Sequence, residues 1–196
     1  MGCRNLSRVL LLVWALSCGS ARAGDLVQES PDGPEHVKVY LTLEQALDKV
    51  FARADSTWTE SWTPTPEEIA DLEMKLGWRV PETEFVFYRG QRKGQDLGVA
   101  MVTEEKGRFK PITFMVKLTP AKEVEMVHVM VYRESRGDGV KRQRFLKQFR
   151  GRDAGDPMRM NREITNLSGA TLSSRAITAG VKRVLAVVGM RYGHGD

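Results

Sequence analysis

The chain has 196 residues, of which 41% are hydrophobic and 28% charged, a composition typical of a globular protein and too apolar for a disordered one. The formal net charge is +5, but residues 1–23 hold three of the 30 basic residues and no acid, which leaves 27 bases against 25 acids and a net charge of +2 for residues 24–196. So small a charge argues against a general nucleic-acid binder, although it is compatible with a local basic patch.

Residues 1–23 have the layout of a secretory signal peptide: a short basic start, an apolar run over residues 9–16, and the small-x-small sequence Ala21-Arg22-Ala23. We therefore predict export, to the periplasm or the outer face of the cytoplasmic membrane. An uncleaved N-terminal anchor and lipid attachment at Cys18 are the alternatives. Cleavage after residue 23 would remove Cys3 and Cys18, leaving no thiol for a disulfide or a metal site.

We predict that residues 24–80 form a flexible and helical segment, the lead, that precedes the main domain. Two helix starts stand out from their capping residues: Thr42 with Gln45, and Thr65 with Pro66 and Glu68. Apolar residues at helical spacing follow each start, and Gly77 is a typical end for the second helix. Trp58, Trp62 and Trp78 flank these helices, and we predict that they pack the lead against the main domain.

From Glu84 the pattern changes to β-rich runs, at residues 85–88, 97–102, 112–118 and 124–132. Turn-forming residues separate these runs: Gly90 and Gly94, Lys106-Gly107, and Thr119-Pro120. Short turns between successive strands predict an antiparallel meander. A glycine-bearing loop at 134–140, a short helix around Phe145, Leu146 and Phe149, and an irregular stretch at 152–170 follow.

The last helix has the clearest apolar face, formed by Ala176, Ile177, Gly180, Val181, Val184, Leu185 and Val188. The order of elements predicts an α+β fold, in which this long C-terminal helix packs across an antiparallel meander sheet after a short helical lead. We assign residues 81–190 to the main domain and residues 191–196 to a tail.

Few residues suggest enzyme chemistry. His36, His128 and His194 lie far apart, without metal-ligand spacing, so no metal site is predicted. A hydrolase that uses Thr171 or a neighbouring serine is the weakest interpretation, because no histidine lies near in sequence to activate a nucleophile.

The sequence Ser168-Gly169-Ala170-Thr171-Leu172-Ser173-Ser174 comes directly before the apolar face of the last helix. Small residues let a ligand approach the backbone, and free N–H groups with the helix dipole favour an anion. This is the physical pattern of a phosphate site. The alternative is an ordinary helix start in which small residues allow tight packing.

Ser168-Gly169-Ala170-Thr171 followed by Leu172-Ser173 resembles the flavinylation motif of the FMN-binding domain. That family includes flavin-carrying components of the sodium-pumping NADH:quinone reductase and of the Rnf complex, and small exported FMN-binding proteins. The resemblance implies FMN as the cofactor. It also implies that Thr171 carries FMN through a phosphoester bond, installed from FAD by an ApbE-type flavin transferase.

A second motif of the family, Glu-Thr-Pro-Gly-Leu-Gly, is similar to Glu134-Ser135-Arg136-Gly137-Asp138-Gly139, and a helix similar to the family's follows at 145–149. The resemblance covers about residues 84–190. It implies that Glu134, Ser135, Gly137 and Gly139 join Ser168, Gly169, Ala170, Thr171, Leu172 and Ser173 in binding the flavin.

Two departures from the family pattern bear on this prediction. Thr165 stands where the family often has an aspartate that is associated with recognition by the transferase. Arg136 and Asp138 replace a proline and a leucine, which predicts a charge pair where the flavin would lie.

The resemblance implies an exported electron-transfer relay that works with a membrane or periplasmic redox partner, and an electron carrier rather than a complete enzyme. A non-covalent FMN-binding or sensory module that regulates a membrane redox partner is the main alternative, and an accessory protein of the cell envelope is another. The basic run Lys141-Arg142-Gln143-Arg144 is either a docking face for an acidic partner or an ordinary solvated face.

Overall fold

The computed structural model describes residues 36–193. The predicted signal peptide, Cys18 and His194 lie outside the described residues. Six strands and four α-helices run in the order β1 (Lys38–Val39), α1 (Leu43–Val50), β2 (Ser56–Trp62), α2 (Pro66–Leu76), β3 (Phe85–Arg92), β4 (Gln95–Lys106), β5 (Pro111–Leu118), β6 (Val124–Tyr132), α3 (Gln143–Leu146) and α4 (Thr171–Tyr192).

The six strands form one antiparallel sheet in the order β1-β6-β5-β4-β3-β2. Strands β3 to β6 are joined by successive hairpins, which confirms the predicted meander. Strand β5 lies inside the sheet and all its residues after Pro111 are buried, because helices cover both of its faces. The α+β fold with the long C-terminal helix on the sheet is confirmed.

The structure adds two strands to the segment expected to be helical. β1 pairs with β6, and β2 pairs with β3 along its whole length. No apolar alternation marks β2, because it is an edge strand with both faces largely exposed. Trp62 packs on Phe85, with ring centroids 5.8 Å apart. Trp58 is 39% exposed, and its contact with the main domain is polar: the Arg89 guanidinium of β3 lies 5.7 Å from the centre of its ring.

Helices pack on both faces of the sheet. On one face α1 buries Ala46, Val50 and Phe51 against the sheet residues Ala100, Met115 and Met130. On the other face α4 and α2 cover the alternate positions of the same strands. The glycine expected to form a turn at position 90 lies within β3 instead, where the ring of Phe51 packs so closely that a Cβ would lie 2.5 Å from it.

Candidate functional site

Helix α4 begins differently from α1 and α2. Both shorter helices start with a complete capping box, and both have an acidic residue in the first turn. Helix α4 starts after Ala170, which supplies no side-chain cap, and its first turn contains no acid. The first N–H groups of a helix have no acceptor within it. The start of α4 is therefore suited to an external anion.

Thr171 is the first residue of α4, and its side chain is exposed. Asn166 Nδ2 donates a hydrogen bond to Thr171 Oγ1 over 2.9 Å, and this contact fixes the direction of the hydroxyl group. Ser168 and Gly169 are exposed just before the helix, and Leu172 is 45% exposed beside Thr171. These residues form one accessible surface around the threonine hydroxyl.

Ser173 faces the interior, unlike Thr171. Tyr132 Oη donates to the carbonyl of Arg136 over 2.5 Å and lies 2.8 Å from Ser173 Oγ. Because a phenol has one proton and a carbonyl only accepts, Ser173 donates to Tyr132. Burial raises the pKa of the Tyr132 hydroxyl, although the bond with Ser173 opposes the rise. The pair joins the start of α4 to the loop after β6.

Gly137 packs against the Tyr132–Ser173 pair, and the three residues together form the joint between α4 and the loop after β6. Its φ is +90°, and an added Cβ would lie 2.6 Å from Tyr132 Oη and 2.9 Å from Ser173 Oγ. Only glycine fits both the backbone conformation and the available space. The two motifs, over 30 residues apart in the sequence, are thus close together: Tyr132 bonds both the Arg136 carbonyl and Ser173, and a Cβ added at position 137 would lie 3.7 Å from the Cα of Ala170.

Replacing Tyr132 with phenylalanine tests this joint. The change leaves the buried Ser173 hydroxyl without its partner and removes the bond to the Arg136 carbonyl, so we expect the free energy of unfolding to fall by about 1–3 kcal/mol. Urea denaturation measures the loss. Tyr88→Phe is the control, since Tyr88 is half-buried, and we expect it to change stability by less than about 0.5 kcal/mol. Equal stabilities of the two variants would contradict the role of the joint.

Glu134 has a structural contact that the sequence did not reveal. Its buried carboxylate accepts hydrogen bonds from the backbone N–H groups of Phe109 (2.7 Å) and Lys110 (3.2 Å). The β4–β5 turn is thereby held against the loop that carries Ser135 and Gly137. Phe109 is 54% exposed at this turn, which adds an apolar side chain that the motifs did not indicate.

Ser135 and Gly139 lie on the loop itself. Ser135 is exposed and Gly139 is half-buried, and a Cβ at position 139 would contact the side chain of Leu167 at 3.9 Å. The loop therefore runs along the segment that leads into Ser168. Of the ten residues predicted to bind the flavin, nine cluster around this loop and the start of α4, while Glu134 points to the β4–β5 turn.

Asp138 does not form the expected charge pair with Arg136. Its carboxylate instead receives hydrogen bonds from Lys38 Nζ (3.3 Å) and Tyr40 Oη (3.1 Å), and Lys141 Nζ lies 3.5 Å away. Burial tends to raise the pKa of Asp138, but the bonds from Lys38 and Tyr40 outweigh it and hold the pKa below its usual value. Asp138 thus ties the loop to β1, and its charge is already neutralised.

Arg175 is a further candidate that the motifs missed. It lies four residues after Thr171 on α4, at a spacing that places two side chains on the same face of a helix. Its side chain is exposed. A cation in the first turns of a helix is unfavourable with the dipole alone, whereas an anion bound at the helix start would offset this cost. In the sequence, the only sign of this role is a basic residue close to the start of a helix.

The family model of the FMN-binding domain matches residues 107–186. This part of the chain is an FMN-binding domain. The match runs from the β4–β5 turn through the Glu134 loop to Ala186 in α4, and so contains both motifs. FMN is the cofactor of the domain, and the uncapped start of α4 and the exposed Thr171 suit a ligand with a phosphate group.

Among solved structures, the chain is similar to the crystal structure of Shewanella oneidensis NqrC, with a TM-score of 0.45 and 19% sequence identity. The similarity covers 67% of this chain and 65% of that one. No curated protein matches the chain. Within residues 36–193, none of the helices of this protein has the length and apolar character needed to span a bilayer.

Proposed function

We propose that the protein is an exported electron-transfer protein in which the FMN-binding domain carries FMN covalently at Thr171. The observation that carries the proposal is the position of Thr171, exposed at the uncapped start of α4 inside the FMN-binding domain. When bound, FMN exchanges one or two electrons and so links two-electron donors to one-electron acceptors. The sequence has no nicotinamide-binding motif, which favours a relay over a complete enzyme.

Different residues of the site would bind different parts of the cofactor. The N–H groups at the start of α4 and the exposed Arg175 guanidinium would hold the phosphate. Leu172 and Phe109 offer exposed apolar surface of the kind that a flavin ring covers. Ser135 is exposed and has a hydroxyl that could hydrogen-bond the ring, and Gly139 adds no side chain at its own position in the loop.

Covalent attachment would be a phosphoryl transfer carried out by an ApbE-type flavin transferase. Thr171 Oγ1 forms a bond to the FMN phosphorus, the pyrophosphate bond of FAD breaks, AMP leaves, and the threonine proton passes to a base of the transferase. The Asn166 contact supports the proposal, because a hydroxyl held in one direction loses less freedom when it reacts. Thr165, in place of the family aspartate, is exposed nearby and free to face the transferase.

Purification from an exporting host that also expresses an active transferase tests the proposal. We expect a yellow protein whose flavin fluorescence remains with the band on a denaturing gel. We also expect an intact mass equal to the chain from Gly24 plus one FMN phosphoester. A mass that includes residues 1–23 would contradict cleaved export, and a colourless protein would contradict the flavoprotein function.

The second candidate function is non-covalent FMN binding in a sensory module that regulates a membrane redox partner. The observation in its favour is Thr165, since the aspartate associated with the transferase is missing. Flavin that is present in the native protein but released on denaturation would support it. Thr165→Asp would then be expected to raise the covalent fraction.

Arg175→Gln tests the phosphate contact separately from the covalent bond. In a Thr171→Val background, we expect the Kd for added FMN to rise about two- to fivefold, because an exposed ion pair contributes up to about 1 kcal/mol. Quenching of flavin fluorescence measures the Kd. Lys182→Gln, two turns further along α4, is the matched control and should leave the Kd unchanged. Equal effects of both changes would show that only net charge matters.

A further inference from the structure

Positive charge is concentrated in the part of the chain that builds the site. Residues 134–175 contain ten bases and five acids, a net charge of +5. The rest of residues 24–196 contains 17 bases and 20 acids, a net charge of −3. The protein has a small overall charge, but positive charge is unevenly distributed along the chain. Such an uneven distribution attracts or repels charged molecules that approach the protein.

Four bases of this region form an exposed group, the basic surface, which consists of Arg142, Arg144, Lys147 and Arg150. Helix α3 and the turn after it bury Phe145, Leu146 and Phe149, and the four bases before, between and after them are exposed. No acidic side chain in residues 36–193 forms an ion pair with any of the four. The flanking Lys141 and Arg152, by contrast, are paired with Asp138 and Asp156.

The basic surface lies beside the segment that carries Thr171. Gln148, which is part of the same helical stretch, accepts a hydrogen bond from the Thr165 N–H (2.7 Å) and donates one to the Thr165 carbonyl (3.2 Å). Gly139, just before the basic surface in the chain, lies near Leu167, because a Cβ added at position 139 would be 3.9 Å from its side chain. The segment of the bases therefore packs along the segment that leads into Ser168 and Thr171.

We propose that the basic surface docks an acidic protein that exchanges electrons with the FMN-binding domain. The proposal rests on the proposed electron-transfer function. Exposed, unpaired charges add little to stability, but charges of one sign steer an oppositely charged partner and increase the association rate. Their position beside the site would bring an acidic partner to the cofactor, where a short encounter is sufficient for transfer of an electron.

The first test maps the surface without needing FMN. Hexacyanochromate(III), a redox-inert paramagnetic trianion, broadens the NMR signals of amides near the place where it docks. We expect broadening at residues 142–150 and 165–171 in the purified protein, and loss of this broadening in Arg142→Glu/Arg144→Glu. Lys49→Glu/Arg53→Glu changes the net charge equally on α1 and the turn after it, across the sheet from α4, and should keep the broadening. Broadening spread evenly over the protein would overturn the proposal.

The second test measures electron exchange in the FMN-loaded, reduced protein at low ionic strength. In Arg142→Glu/Arg144→Glu we expect the rate constant with ferricyanide to fall about tenfold, and the rate with the cationic tris(phenanthroline)cobalt(III) to rise. The control pair at Lys49 and Arg53 should change neither rate by more than about twofold. Equal effects of the two pairs would overturn the proposal, since net charge alone would then explain them.

Two other results would also count against an acidic protein partner. Binding of the wild type to phosphatidylglycerol vesicles that the double variant loses would assign the basic surface to anionic lipid headgroups instead. Loss of bound FMN in the double variant would assign it to the cofactor phosphate. Failure of the proposed function looks different, because the wild type would then take up no flavin although the anion mapping still succeeds.

Discussion

Thr171→Val should abolish covalent flavin completely. Valine keeps the shape of threonine but lacks the Oγ atom that the phosphoester needs, so no bond to phosphorus can form. With an active transferase present, we expect the wild-type band to fluoresce on a denaturing gel and the variant band to be dark. Intact mass should differ by one FMN phosphoester as well as by the substitution.

Two further variants make this result specific to the hydroxyl at position 171. Thr171→Ser restores an Oγ atom and should recover covalent flavin, at least in part. Ser168→Ala removes another exposed hydroxyl three residues earlier and should leave the attachment in place. Fluorescence that persists in Thr171→Val, or disappears in Ser168→Ala alone, would assign the bond to another residue.

Gly98→Ala should cause the largest loss of stability. Gly98 lies in β4 with a φ of +92°, and an added Cβ would lie 2.0 Å from the carbonyl oxygen of Leu118 in β5. The left-handed conformation costs about 1–2 kcal/mol for a residue with a side chain, and displacing a strand of the core adds about 1–3 kcal/mol. We expect the free energy of unfolding to fall by about 3 kcal/mol or more, measured in urea.

Gly94→Ala separates these two costs. Its φ is +76°, but no heavy atom lies within 4 Å of an added Cβ, so only the conformational cost applies. We expect a loss of about 1 kcal/mol. If Gly98→Ala proves too unstable to purify, thermal denaturation in the cell lysate ranks the two variants. Similar losses in both would show that the strand contact at Leu118 relaxes freely.

Local patterns determined α1, α2 and the strands β3 to β6. Thr42 and Thr65 each start a helix through a complete capping box, as their spacing from Gln45 and Glu68 indicated. A capping box satisfies helix N–H groups within four residues of chain, so a short run of sequence is sufficient to indicate it. The β-rich runs after Glu84 form β3 to β6 for a similar reason. A short turn places two successive strands side by side, so they pair with each other.

The sequence did not indicate elements that lack an alternation of apolar and polar residues. β2 has too few buried positions to show a period of two, and only its pairing with β3 makes it a strand. Gly90 has the composition of a turn, but Phe51 from the end of α1 packs against it within β3. Which residues approach a glycine depends on packing between distant segments, and this is not encoded next to it in the chain.

The same division applies to the site. The sequence by itself determined the motif around Thr171, the glycine-bearing loop at 134–140 and their FMN-binding family, because these depend on short runs of residue types. Only the tertiary structure decided that Tyr132 and Ser173 join the two motifs, that Asp138 is tied to β1, and that Glu134 holds the β4–β5 turn. Each of these contacts joins residues that are distant in the chain, and the packing of α4 and the strands selects one partner among many chemically equivalent ones.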